Sequence, residues 1–296
     1  MKLIRFESDK KEHYGMLRND RLLSLTILSS SMNRLIRQTL QELVSMEPGK
    51  IDEIERYLKN IDQIHEKEAA CNVGEVEVLA SLVNPPKLIC LGLNYYDHAT
   101  EAGAEIPEDP IIFMKSHTTI IGPNKSIIKP LFVKKLDYEA ELAVVIGAEG
   151  KNIQLDKAKQ HIFGYTILND VTARDIQFKD KQWTRGKSFD TFAPLGPCVT
   201  TTTRITDPNN LRIRTWVNDK LRQDSSTKNM VFDVYEVIHH LSRVVTLEPG
   251  DIIATGTPAG VGVFTKPEPT FLESGDRITI DIEGIGRLQN LVAEAS

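Results

Sequence analysis

Cysteine is scarce in this chain: Cys71, Cys90 and Cys198 stand far apart among 296 residues, with no C-x-x-C pair. That pattern excludes a disulfide framework and a zinc knuckle, which need paired, regularly spaced thiols. Cys90, inside Lys87-Leu88-Ile89-Cys90-Leu91, reads as a small apolar core residue. A basic excess is also missing. The 36 Lys and Arg face 41 Asp and Glu, a net charge of -5, which argues against a nucleic-acid surface. No apolar run approaches bilayer length, and Leu142 to Ile146 is only strand-length. The opening Met1-Lys2-Leu3-Ile4-Arg5-Phe6-Glu7-Ser8-Asp9-Lys10 carries charges where a signal peptide needs apolar residues, so a cytoplasmic location is expected. Lys187 follows a glycine and precedes a serine, but no G-x-x-x-x-G-K phosphate loop exists. Repeats and low-complexity segments are absent as well.

What remains is a globular composition, 41% hydrophobic and 26% charged, long enough for one large domain plus a small one. Lys2 to Phe6 and Arg21 to Leu28 read as strands joined through the turn-prone Arg18-Asn19-Asp20. Two amphipathic helices follow. Met32, Leu35, Ile36, Leu40, Leu43 and Val44 carry the first, which stops before Pro48-Gly49; Ile51, Ile54, Leu58, Ile61 and His65 carry the second. Residues 1–75 are thus expected as a small N-terminal α/β module. A stiff connector follows over 76–86, around Asn84-Pro85-Pro86, and a larger domain over 87–296. That domain reads as short strands at Ile111 to Met114, Ala140 to Ile146, Phe163 to Leu168, Arg212 to Val217, Asp251 to Ala254 and Arg277 to Ile282, with one convincing late helix at Val231 to Val245. The fold class expected is α+β and β-rich, not a doubly wound alternation of strand and helix.

Three carboxylates stand out in the large domain. Glu139 and Glu141 open the apolar run Ala140 to Ile146, and Asp170 ends Ile167-Leu168-Asn169-Asp170. Residues i and i+2 of a strand share a face, so the two glutamates project side by side. Like charges held that close need a cation or a shared proton. An E-x-E pair at a strand edge is more often solvated or paired with lysine, and Lys134 and Lys135 lie just upstream. Asp170, at the polar end of a second apolar strand, favours an ion instead. Oxygen ligands without a His or Cys cluster suit Mg2+, Mn2+ or Ca2+ rather than zinc.

Other signals are weak singly. His98 and Glu101 are spaced i, i+3, so on a helix they can hydrogen-bond as a general base and its orienting carboxylate. Ala102 to Pro110 is a Gly- and Pro-punctuated acidic stretch suited to a lid. Thr255-Gly256-Thr257-Pro258-Ala259-Gly260-Val261-Gly262 offers backbone N–H groups and hydroxyls to a ligand.

In order along the chain, these signals carry a resemblance. G-x-N-Y-x-D-H-x-x-E (Gly92 to Glu101), F-x-K (Phe113 to Lys115), D-Y-E-x-E-L (Asp137 to Leu142), N-D-x-T-A-R-D (Asn169 to Asp175), G-K-S-F-D (Gly186 to Asp190) and T-G-T-P-x-G-V-G (Thr255 to Gly262) together resemble the fumarylacetoacetate hydrolase family over roughly residues 84 to 296. The chain looks most like the bacterial branch with a short N-terminal domain. The resemblance implies a mixed β-sandwich roll, a homodimer, and Mg2+ or Mn2+ (Ca2+ being a further option) held by Glu139, Glu141 and Asp170. It also implies His98 and Glu101 as catalytic dyad and Lys187 as the cation facing a substrate oxyanion. Gln177, Thr257, Gly256 and Lys115 would be substrate contacts. One departure stands out: several relatives carry Arg or Lys where this chain has Leu93, so the substrate here would be held differently or be smaller.

The activity implied is metal-dependent cleavage of a C–C bond in a small 2-oxo (di)carboxylic acid through a metal-bound enolate. Acylpyruvate- or fumarylacetoacetate-type hydrolysis and oxaloacetate-type decarboxylation both fit. A tautomerase or isomerase of oxaloacetate-like or 2-hydroxy-dienoate substrates would use the same enolate. From other classes, a metal-stabilised scaffold binding a protein partner through residues 1–75, or a calcium-binding β protein, would need neither His98 nor Lys187. The metal reading requires the three carboxylates to converge beside His98, with no Arg or Lys already neutralising them.

Overall fold

The computed structural model describes residues 1–18, 21–31, 36–46, 50–61 and 63–295. Its centre is the strand Ala140–Ile146, every residue of which is buried. Leu142, Val144 and Ile146 join one apolar cluster, while Ala143 and Val145 join another. A strand covered on both faces has no reason to alternate polar residues, which is why this segment reads as a continuous apolar run. It lies antiparallel to Ile162–Asn169 on one side and Ile252–Ala254 on the other. The latter runs parallel to Leu88–Gly92, whose far neighbour is the antiparallel Ile111–Met114.

In the other direction Ile162–Asn169 pairs with Ala193–Thr201, and that strand pairs with Lys2–Ser8. Lys11–Arg18, Arg21–Ser24 and Ala70–Asn72 continue the same 12-stranded sheet. The strands of residues 1–75 are therefore hydrogen-bonded into the sheet of the larger part. Glu77–Val78, inside the expected connector, pairs with Lys2–Ser8 as well.

A five-stranded sheet packs over one face, in the order Lys220–Ser226, Arg212–Val217, Arg277–Ile282, Gly286–Glu294, Ser126–Lys129. Ile278, Ile280 and Ile282 turn inward to the cluster of Leu142 and Val144, the half-exposed alternation that the sequence shows. The helix Val234–Val244 adds Val234, Val237, Ile238 and Leu241 to that cluster. It starts on a full capping box between Asp233 and Glu236. The result is the expected mixed, β-rich α+β architecture.

The first 75 residues depart from expectation in detail. Lys11–Arg18 forms an additional strand, and Arg21–Leu28 is not one strand: it turns helical at Leu25–Ser31. The Ser24 hydroxyl accepts from the Ile27 backbone, an N-cap that stops the strand. The second expected helix splits into Lys50–Lys59 and Gln63–Ala69. Asn60 turns its side-chain amide back onto the Arg56 carbonyl and closes the first piece. Of the first expected helix the structure shows Leu40–Val44, whereas Met32, Leu35, Pro48-Gly49 and the turn residues Asn19 and Asp20 lie outside the described residues. No described helix is long and apolar enough to cross a membrane.

Candidate active site

The register of the two central strands builds the acidic cluster. Ala140 sits opposite Asn169, so Glu139 and Asp170 lie just beyond the last ladder pair of the two neighbouring strands. The Asp170 backbone N donates to the Glu139 carbonyl at 2.9 Å, and the Glu139 N donates to the Asn169 side-chain oxygen at 3.1 Å. Glu139, Glu141 and Asp170 each bring one oxygen within 4.8 Å of the others, all in buried positions. The three carboxylates thus converge.

Cations stand among them. Lys187 Nζ bridges Glu139 Oε2 at 2.7 Å and Asp170 Oδ2 at 2.5 Å, while Lys115 Nζ holds Asp170 Oδ1 at 2.6 Å. Arg174 pairs with Asp137 through Nε at 2.9 Å and with Glu139 through Nη2 at 2.6 Å. Neutralisation is therefore real, by Lys115, Arg174 and Lys187 rather than by Lys134 or Lys135. It is also incomplete: Asp137, Glu139, Glu141 and Asp170 are four carboxylates against three cations. Burial would raise the Glu139 carboxyl, but Lys187 and Arg174 beside it pull it down to about 2. Glu141 is the residue left over. Its Oε2 accepts from the Gly256 backbone at 2.9 Å, and its buried Oε1 has no partner among the described residues. Burial, then the charges of Asp170 and Glu139, push its carboxyl well above the usual range. An orphaned carboxylate oxygen in an all-oxygen donor set, with one negative charge to spare, fits a hard divalent cation.

Lys187 ends the short helix Trp183–Lys187, whose position depends on two glycines. A Cβ at Gly186 would meet the Gln177 backbone at 2.9 Å, and one at Gly92 would lie 1.8 Å from the Trp183 ring. Trp183 packs edge-on against Phe113, over whose face Lys187 Nζ also sits at 5.0 Å. Gly92→Ala must therefore displace Trp183 and the helix that carries Lys187. We expect a loss of about 1–3 kcal/mol in thermal or urea unfolding, together with weaker substrate turnover. Wild-type activity in Gly92→Ala would show that Trp183 does not set Lys187.

The dyad rides on the helix Tyr96–Ala102, which Gly103 ends with φ of 63°. His98 Nδ1 lies 3.3 Å from Glu101 Oε2, and Glu101 Oε1 accepts from the Gly260 backbone at 2.9 Å. Asp97 accepts from the His98 N at 2.8 Å, the Ala259 N at 3.3 Å and the Ser225 hydroxyl at 2.5 Å. Asn94 donates to the Thr255 carbonyl at 2.8 Å. The Gly92–Glu101 and Thr255–Gly262 motifs are thus one hydrogen-bonded unit. Asp137 ties it to the acidic cluster, accepting from the Gly262 N at 2.7 Å and the Val263 N at 3.0 Å.

A cleft of about 200 Å³ joins these parts. His98, Glu139, Arg174, Gln177, Lys187 and Thr257 face it, with Leu93, Phe178, Trp183 and Phe264 as apolar wall; Ala102 and Ala104, from the expected lid, also line it. Gln177 Oε1 accepts from Arg174 at 3.0 Å. Two expected substrate contacts are placed otherwise. Lys115 stands behind Asp170, outside the cleft wall, and the Gly256 N–H is spent on Glu141 Oε2. Asp97, Asp137 and Arg174 are further members of the site that lie inside the motifs, whereas Gln223, on the strand Lys220–Ser226, belongs to none.

Comparison with known proteins adds independent likenesses. Residues 87–293 match the family described as fumarylacetoacetate (FAA) hydrolase C-terminal. An oxaloacetate tautomerase, fahd2, mitochondrial, from Xenopus laevis is 49% identical, over 74% of this chain and 69% of its own. The solved fumarylacetoacetate hydrolase of Exiguobacterium antarcticum is 37% identical with a TM-score of 0.82, over the whole of both chains. Maleylpyruvate hydrolase of Sphingobium sp. SYK-6, solved with manganese and pyruvate, is 28% identical with a TM-score of 0.80, again over both whole chains. Matches in a frog and in bacteria do not single out a bacterial branch.

Proposed function

The chain belongs to the fumarylacetoacetate hydrolase family, and from that premise we propose an enzyme that forms and resolves the enolate of a small 2-oxo dicarboxylic acid with a divalent ion. One observation carries the reading: the orphaned Glu141 Oε1 sits in an acidic cluster, and Glu139 of that cluster opens on the cleft that His98 lines. Glu139, Glu141 and Asp170 would hold the ion, Mg2+ or Mn2+ before Ca2+. Bound there, such an ion supplies Lewis-acid stabilisation of negative charge developing on a 2-oxo group.

The chain's own residues do the rest. Lys187 Nζ places fixed positive charge beside Glu139, at the cleft wall where the enolate oxygen would lie. With Nδ1 engaged by Glu101, His98 is left with Nε2 to take or return a proton in the cleft. Leu93, Phe178, Trp183 and Phe264 give the cleft an apolar wall, which would limit the access of bulk water.

An enolate reached this way has two ends. If His98 deprotonates a water that attacks a distal carbonyl, the C–C bond breaks and a pyruvate-type product leaves; loss of CO2 from a β-keto acid gives the same enolate. If the proton simply returns to another atom, the enzyme is a tautomerase, a reading favoured by the 49% identity to the frog oxaloacetate tautomerase. Purified protein with Mn2+ or Mg2+ should either accelerate enol–keto exchange of oxaloacetate or release pyruvate from an acylpyruvate or oxaloacetate. No acceleration of any of these would overturn the proposal.

A homodimer is part of the same reading. Leu131 and Phe132 are 61% and 62% exposed, and Phe132 packs at a tilt against Phe189 in the segment just after Lys187. Phe132→Glu should shift the light-scattering mass from dimer to monomer; an unchanged mass would remove this patch as the contact.

A further inference from the structure

Gln223 lies outside every motif, on the outermost strand of the five-stranded sheet, yet its amide reaches Thr257 in the cleft wall. It is fully buried and makes four hydrogen bonds. Its Oε1 accepts from the Ala140 backbone N at 3.2 Å and from the Thr215 hydroxyl at 2.8 Å. Its Nε2 donates to the Pro258 carbonyl at 2.9 Å and to Thr257 Oγ1 at 2.9 Å. The amide has no freedom to flip. A backbone N–H can only donate and a carbonyl can only accept, so the oxygen must face Ala140 and the nitrogen must face Pro258. The second Nε2 hydrogen therefore lands on a lone pair of Thr257 Oγ1.

A hydroxyl that accepts here keeps its own proton for another partner. Among the described residues no protein acceptor takes the Thr257 proton, and Thr257 stands in the cleft wall. Gly260 lets the loop lie this close: its φ is +103°, and a Cβ there would come within 2.1 Å of the Arg222 carbonyl oxygen. The geometry points to Gln223 as a positioning residue that presets the Thr257 hydroxyl as a donor toward an anionic oxygen, of carboxylate class, in the cleft. The same amide oxygen holds Ala140, the residue between Glu139 and Glu141, so one side chain ties the donor loop to the carboxylate strand. This rests on the proposed function only in that the cleft takes an anionic 2-oxo acid.

Oxalate is a planar dianion the size of a 2-oxo acid head, and calorimetric titration of it into the Mn2+-loaded protein reads the hydroxyl directly. Thr257→Val should weaken oxalate roughly ten- to hundredfold, the range for a hydrogen bond to a charged group, and Thr257→Ser should restore it. Gln223→Glu should weaken it by a similar factor. A carboxylate at that position cannot donate, so the threonine hydroxyl turns back to it and shows the anion a lone pair. Gln223→Met, which neither donates nor carries charge, leaves the hydroxyl unoriented and should cost a few-fold; it decides the matter if the acidic variant melts early. Combined with Thr257→Val, either change at 223 should add less than twofold.

Oxalate affinity within twofold of wild type in both Gln223 variants would overturn the inference. So would losses of equal size with and without the Thr257 hydroxyl, which would mean that Gln223 acts only through the fold. Oxalate binding that follows the expected pattern without turnover of any 2-oxo acid would sink the proposed function and leave the positioning role standing. Turnover with oxalate binding blind to residue 223 would do the reverse.

Discussion

Glu141→Gln is expected to raise the melting temperature of the metal-free protein while removing its response to Mn2+. In the metal-free wild type burial and the charges of Asp170 and Glu139 oppose ionisation of Glu141, one oxygen rests on the Gly256 N–H, and the other has no partner among the described residues. The amide keeps the Gly256 contact and turns an NH2 toward carboxylate oxygens that lie within 4.8 Å. A hydrogen bond to a charged acceptor in place of a buried carboxyl whose ionisation is opposed should be worth about 1.5–3 kcal/mol, several degrees in a chain of this size. Bound ion stabilises the native state by mass action, so the wild type should gain further with Mn2+ and the variant should not. Loss of Lewis-acid stabilisation worth several kcal/mol should lower turnover by on the order of 10³. Glu139→Ala should show the opposite sign without metal. It strips Lys187 of one partner and leaves Arg174 with Asp137 as its remaining carboxylate, and breaking a buried pair costs about 3–5 kcal/mol. Two glutamates two residues apart thus divide into one that stabilises the apoprotein and one that strains it. Calorimetry with and without Mn2+ reads both. A lower melting temperature for metal-free Glu141→Gln would mean that the wild-type carboxyl is already satisfied at this position. In the double variant Glu139→Ala/Glu141→Ala, pyruvate release at the wild-type rate would mean that these glutamates do not hold a catalytic ion.

Why the glutamates were legible and their partners were not is a matter of distance along the chain. Strand parity alone places Glu139 and Glu141 on one face, and an apolar strand ending in Asn169-Asp170 marks where a third carboxylate could join them. Neighbourhood in sequence then nominates Lys134 and Lys135 as counter-ions. The register between Ala140–Ile146 and Ile162–Asn169 brings in Arg174 and Lys187 from beyond the second strand instead, and Lys115 from before the first. The same limit hid Gln223, which looks like any polar residue of an outer strand until the two sheets are stacked. Alternation fixed Arg277–Ile282 and the apolar run fixed Ala140–Ile146, because each pattern is local. The pairing of Lys2–Ser8 with Ala193–Thr201, which fuses the N-terminal strands to the main sheet, leaves no local trace. Short helices failed for the converse reason: Ser24 and Asn60 end elements through single side-chain contacts that compete with a longer hydrophobic periodicity.

Glu101→Gln should lower kcat by 10²-fold or more, nearly as far as His98→Ala, with little change in stability. The carboxylate serves two donors, the Gly260 N–H at 2.9 Å and the His98 ring at 3.3 Å. The backbone N–H can only donate, so the glutamine oxygen must stay on Gly260 and the NH2 must face Nδ1. An amide donor there forces the ring proton onto Nε2, the nitrogen that should be free to accept a proton in the cleft. The fold survives because every hydrogen bond is kept, while the tautomer is inverted. His98→Ala removes the base outright and should cost roughly 10²–10⁴ in kcat, along with the acidic limb of the pH–rate profile. Substrate KM should move little in either variant, since neither His98 nor Glu101 supplies a positive charge that the cleft needs; those are Lys187 and Arg174. A rate and pH profile unchanged in Glu101→Gln would mean that His98 works in whichever tautomer it is given, and the dyad would reduce to two neighbours on a helix.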